Sequence, residues 1–217
     1  MKVQINKVHF PVTALGPGQR LGIWFQGCSI GCKGCISRDT WPPKDSRDID
    51  IEDLFQKCTS LTRGELDGIT ISGGEPFEQP EGLHRLVQRF VRWREAKRLH
   101  FDILCYSGMS MRRLRQKFPD TLSFIDALIA GPFVEDQAPG GAWAGSGGQQ
   151  LVILSQIGNA IYTKQVLESA VARPTLQVSV DEQHIWYIGV PRPGDMRKLE
   201  TAAARMGIDQ SNVSWRP

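Results

Sequence analysis

Apolar positions in this chain fall into short continuous runs, separated by stretches where they recur every three or four residues. That is the pattern of buried strands alternating with half-buried helices. Val3 to Val12, Leu21 to Phe25, Gly68 to Ser72, Phe101 to Tyr106, Ile125 to Phe133 and Leu151 to Leu154 read as strands. The run Leu21-Gly22-Ile23-Trp24-Phe25 holds no polar side chain, as in a parallel sheet covered on both faces. Ile51, Leu54, Phe55 and Cys58 lie at helical spacing behind Asp50, Glu52 and Asp53, acids that suit the positive end of a helix dipole. Pro80 opens a second helix with Leu83, Leu86, Val87, Phe90 and Val91 on its buried face. Met111 to Phe118 reads as a short third one.

Beyond Ser155 the pattern predicts a helix over Thr163 to Ala172 and a hairpin of Leu176 to Val180 with His184 to Val190, turning at Asp181-Glu182. Pro191, Pro193 and Gly194 then break the chain before a last helix, Asp195 to Met206. Repeated βα units imply an α/β fold around a parallel sheet. The expected organisation is a core over residues 1–155 and a small α+β extension over 156–217.

Composition narrows the class. A chain of 217 residues with 41% hydrophobic and 23% charged residues can bury one sizeable core. No run of about 18 apolar residues exists, so no membrane span is expected. Met1 to Lys7 lacks an apolar signal core, which argues against secretion. Five cysteines, three of them clustered, do not make a disulfide framework and fit a reducing cytoplasm. A net charge of +3 implies no nucleic acid by itself, but the charge is uneven. From His84 to Lys117 there are ten Lys or Arg and two acids, so this stretch carries +8 and the remainder −5. No aromatic stacking pattern accompanies that charge, which argues against RNA.

The chemistry is concentrated in Cys28-Ser29-Ile30-Gly31-Cys32-Lys33-Gly34-Cys35, directly after the apolar run. A structural zinc site normally takes four ligands. Here three thiols crowd into eight positions with no fourth Cys or His at hand. Three thiolates on an iron–sulfur cubane would leave one iron open. A zinc site, a redox dithiol and chance stay open for the array alone. Gly27, Gly31 and Gly34 suit a loop that wraps a group closely. About 40 residues on, Ile69-Thr70-Ile71-Ser72 leads into Gly73-Gly74-Glu75-Pro76, a strand ending in a glycine turn.

Together these two stretches resemble the radical S-adenosylmethionine (SAM) enzymes. The resemblance implies a partial (β/α) barrel, with Cys28, Cys32 and Cys35 holding a 4Fe-4S cluster. It also implies that Gly73, Gly74, Glu75 and Pro76 position SAM, whose cleavage makes a 5′-deoxyadenosyl radical. The string from Phe25-Gln26-Gly27-Cys28 through Cys35 to Asp39-Thr40-Trp41, with Gly34 before the third cysteine, is similar to the activases of anaerobic ribonucleotide reductase. That branch implies a cluster loop over 26–41 and a glycyl radical enzyme as partner. It also implies a flavodoxin or ferredoxin as electron donor, for which the basic stretch is either a docking surface or a solvated helix face. Tyr106-Ser107-Gly108 resembles another SAM-facing strand end, from which Ser107 and Gly108 are carried over.

Three departures stand out. Met109 replaces a tyrosine of that branch, Ala130 replaces an aspartate, and Gly145-Ser146-Gly147-Gly148-Gln149-Gln150 lacks its Asn and Arg. These, with the extension, favour an alternative: a tailoring enzyme for a small molecule, nucleotide or peptide. A non-catalytic iron–sulfur or zinc module is a third reading, which the Gly-Gly-Glu-Pro turn weighs against. His9, His84, His100 and His184 are scattered and imply no chemistry.

Overall fold

A computed structural model describes residues 1–216 apart from 64, 138–139, 173–175, 183 and 212, and the side chain of 172. Strand β1 (Lys2–Val12) runs antiparallel to β2 (Arg20–Phe25), every residue of which is buried. A long loop then leads to β3 (Asp48–Asp50), a short edge strand against β1. Helix α1 (Ile51–Thr62) starts where the Asp50 carboxylate accepts from the Glu52 amide at 2.9 Å. Next come β4 (Gly68–Gly73), α2 (Pro80–Lys97), β5 (Asp102–Ser107), α3 (Met111–Lys117), α4 (Pro119–Leu122) and β6 (Ala127–Ala130). Strand β7 (Gln150–Ile153) closes the sheet. After it lie α5 (Gln156–Ile161), α6 (Lys164–Ala172), the hairpin β8 (Leu176–Val180) and β9 (Ile185–Gly189), and α7 (Asp195–Arg205).

The seven strands lie in the order β3-β1-β2-β4-β5-β6-β7. Strands β2, β4, β5 and β6 are parallel, as the βα pattern predicts, and form the middle of the sheet. Strands β1 and β7 run against them on either side, and the short β3 lies antiparallel to β1 at one edge, so the sheet is open and not a closed barrel. One face is covered by α1 to α4 through a single large apolar cluster. In it the α2 residues Leu83, Leu86, Val87 and Phe90 meet Ile69, Ile71 and Ile103. Cys58 and Cys105 are buried in that core.

The other face is covered by chain that follows the sheet. Tyr162, at the end of α5, packs on Leu104 and Ile129. The hairpin sets Ile188 and Trp186 against Val12, Leu15 and Trp24. Gln177 holds it there, accepting from the Thr13 amide at 2.7 Å and donating to the Pro11 carbonyl at 2.8 Å.

Candidate cofactor site

All the predicted motifs meet at the carboxyl ends of β2, β4 and β5, where open α/β sheets bind their ligands. The cysteine loop leaves β2 at Gln26 and returns at Pro42. Gln26 fastens its two ends: its side-chain nitrogen donates to the Asp39 carbonyl at 3.0 Å and to the Pro42 carbonyl, and its oxygen accepts from Asn6 at 2.7 Å. The Gly27 amide donates to Thr40 and the Cys28 amide to Trp41, so the loop closes as a ring. Trp41 therefore joins its entry to its exit, and Arg38 stacks on its ring at 5.2 Å. Within the ring the Cys35 amide donates to the Cys32 carbonyl at 3.1 Å, and Gly27, Gly31 and Gly34 all have positive φ.

The turn after β4 is set backbone to backbone against that ring. Gly74 donates to the Phe25 carbonyl and Glu75 to the Gly27 carbonyl, each at 2.8 Å. A Cβ on Gly73 would meet the Phe25 main chain at 2.5 Å, and one on Gly74 would collide with the Gly27 carbonyl. Two glycines are needed because two stretches of main chain touch here. The Glu75 side chain is 1% exposed. Its carboxylate accepts from the Phe77 amide at 3.1 Å, the Ser107 hydroxyl at 2.9 Å and the Gly108 amide at 2.8 Å. Burial outweighs those donors and pushes its pKa up to about 7. Ser107 and Gly108 are thus brought to the turn. Gly108 also lies close against Ile30 of the cysteine loop.

A cavity of about 1740 Å³ runs along these groups. Cys28, Cys32, Cys35, Gly34, Gly73, Gly74, Glu75, Ser107 and Gly108 all line it, and the buried Pro76 does not. The three thiols are free and half-buried, and burial raises the pKa of Cys28 and Cys35. Among the described residues, no three His, Cys, Asp or Glu side chains close on one point as ligands of a single ion would. The donor set, three thiols on a glycine-relaxed ring, fits an iron–sulfur cluster. Two buried polar atoms of that ring, Asp39 Oδ1 and Arg38 Nε, have no hydrogen-bond partner among the described residues.

Sequence reasoning missed several contributors. Glu78 accepts from the Ser29 amide at 3.1 Å and so ties the loop to the turn after β4. Its place three residues after Glu75, on the same turn, was the available signal. Gln149, already part of the glycine-rich segment read from the sequence, accepts from the Gly145 amide at 2.7 Å and donates to the Gly131 carbonyl at 3.3 Å, which holds that loop against the cavity. Pro139 of that loop lies outside the described residues. Trp24, Tyr106, His184, Trp186, Tyr187 and Trp215 add an aromatic wall, most of it from the extension.

The 4Fe-4S single cluster domain family matches residues 14–152. An anaerobic ribonucleoside-triphosphate reductase-activating protein of Vibrio cholerae is 30% identical over 65% of this chain and 92% of its own length. The protein of the same name from Haemophilus influenzae is 32% identical over the same shares. Crystalline QueE from Escherichia coli aligns at 20% identity and a TM-score of 0.42, covering 51% of this chain and 54% of its own, a likeness too slight to argue from.

Proposed function

This chain belongs to the 4Fe-4S single cluster domain family and to the family of the anaerobic ribonucleoside-triphosphate reductase-activating proteins; on that premise we propose that it is a radical SAM activase. The reading rests most on one observation: the cysteine ring, the Gly73-Gly74 turn and Ser107-Gly108 form one wall of a single cavity. We assign Cys28, Cys32 and Cys35 as the ligands of the cluster. When cluster and SAM are bound, one electron passes from the reduced cluster to SAM, whose sulfonium bond breaks to leave methionine and supply the 5′-deoxyadenosyl radical that takes a hydrogen atom.

The chain's own residues position and shield. Gly34, Gly73, Gly74, Ser107 and Gly108 expose main chain toward the SAM side of the cavity. Glu75 acts as a positioning residue: its carboxylate fixes the Phe77 and Gly108 amides at the cavity edge. Pro76 contributes by starting the turn. No side-chain nucleophile is required, because the cofactor carries the chemistry. The partner that receives the radical is a glycyl radical enzyme, the reductant a flavodoxin or ferredoxin, and the setting a reducing cytoplasm. Residues 1–155 act as the core and 156–217 as an appended unit, in keeping with a family match that ends at 152.

The test is electron paramagnetic resonance on reduced, cluster-loaded protein mixed anaerobically with SAM and a lysate of the source organism. A glycyl-radical doublet that vanishes with Cys32→Ala is the expected result. Accumulation of 5′-deoxyadenosine without a doublet would move the assignment to a tailoring enzyme. The observation favouring that second reading is the aromatic roof that the hairpin lays over the cavity.

A further inference from the structure

We propose that Arg85, Arg112, Arg113, Arg115 and Lys117 form the docking surface for a small acidic one-electron carrier protein. The inference rests on the activase reading above, which requires a reductant, and adds where that reductant binds. All five side chains are exposed, and none forms an ion pair among the described residues. Arg92, Lys97 and Arg98 of the same basic stretch are also exposed and without an ion pair among the described residues, but they lie toward the carboxyl end of α2, away from Arg85 at its start. Two other cations are engaged. Arg89 pairs with Glu52 and covers Phe55, and Arg94 pairs with Asp126.

Helix α3, which carries four of the five, is held beside the cofactor site at both ends. Before it, Gly108 donates to Glu75 and lies against Ile30 of the cysteine loop. After it, Phe118 stacks on Phe77 of the turn after β4 at 5.2 Å. Arg85 and Lys117 line one shallow depression, together with Glu81 and Asp120. The extension touches the cysteine ring elsewhere, at Asp39, whose amide donates to the Ser214 carbonyl. A carrier seated on α3 therefore reaches the ring by way of Gly108 and Phe118, clear of that contact. Unpaired cations act over about a Debye length, roughly 8 Å at physiological salt, so they favour an acidic face brought into direct contact. No bond forms or breaks at the surface. The carrier gives up one electron, and the group held by the cysteines takes it up.

Two measurements test this. Binding of a flavodoxin probe to the chain without cluster is followed by flavin fluorescence at low and at physiological salt. Arg112→Glu/Arg113→Glu should weaken it on the order of tenfold at low salt, with the difference shrinking as salt rises. Arg112→Lys/Arg113→Lys and Arg197→Glu, a cation outside the patch, should bind as the unaltered chain does. Formation of 5′-deoxyadenosine by loaded protein should fall by a similar factor with flavodoxin as reductant and stay unchanged with dithionite. Equal flavodoxin binding by the Glu double variant, or equal weakening by Arg197→Glu, would overturn the surface. Failure of dithionite to drive cleavage in the unaltered protein would instead overturn the activase reading, and the binding measurement would still decide the surface.

Discussion

At the scale of single residues, Glu75 carries the largest tension in the site. It is a carboxylate 1% exposed, held by three donors, with a pKa of about 7 against 4.5 in the unfolded chain. Between those values the folded state keeps a proton that the unfolded state has lost, so stability falls as pH rises from 4.5 to 7. The shift corresponds to something on the order of 3 kcal/mol lost by pH 8. Glu75→Gln cannot titrate and places an amide NH2 toward either Gly108 N–H or Ser107. Urea unfolding at pH 5 and pH 8 should therefore show the unaltered chain losing its advantage over the variant as pH rises. A pH-independent difference would remove this account. The cysteines and the glycine pair were legible because their chemistry is local: three thiols in eight positions and two residues without Cβ at a strand end. Glu78 and Gln26 were not, since their partners Ser29 and Pro42 lie 49 and 16 positions away.

At the scale of elements, the carboxyl end of β4 and the start of the cysteine ring behave as one piece of backbone. Gly74→Ala drives a Cβ into the Gly27 carbonyl, which has no flexible atom to move aside. Overpacking of this kind costs about 1–3 kcal/mol. The expected outcome is destabilisation in that range together with low iron per chain after anaerobic reconstitution. Normal iron content would show that the ring tolerates the shift. The helix face Leu83 to Val91 and the strand runs were readable from spacing, because burial on one or both faces sets the period. Strand β3 was not: Asp48 to Asp50 is a polar connector by composition and becomes a strand only because Lys2 to Gln4 lies beside it. The four-residue α4 and the six-residue α5 are likewise too short to show a period.

Across the whole molecule, a buried ion pair ties β2 to β5 at the amino ends of the central strands, the end away from the site. Arg20 donates to both Asp102 oxygens at 2.7 and 2.9 Å, to the Thr70 hydroxyl at 2.7 Å and to the Ile69 carbonyl at 2.9 Å. Tyr162 donates to the same carboxylate at 2.6 Å, so the first chain after the sheet is tied to its middle strands. Asp102→Ala leaves a fully buried guanidinium without its counter-charge and should cost about 3–5 kcal/mol in denaturant unfolding. Farther out the extension is held by fewer groups, and Gln177→Ala removes its bonds to Thr13 and Pro11. Amide exchange should then speed up across 176–189 while β2, β4 and β5 keep their protection. Uniform loosening would show that hairpin and sheet unfold together. The longer strands and helices, the parallel centre of the sheet and the thiol array were legible in the sequence, because period, apolar runs and ligand type are properties of neighbouring residues. That Glu75 faces Ser107 and Gly108, that the outer strand pairs are antiparallel, and that the hairpin roofs the cavity on Trp24 and Tyr106 emerged with the packed fold. Those are contacts between distant segments, set by which surfaces bury one another and not by any local pattern.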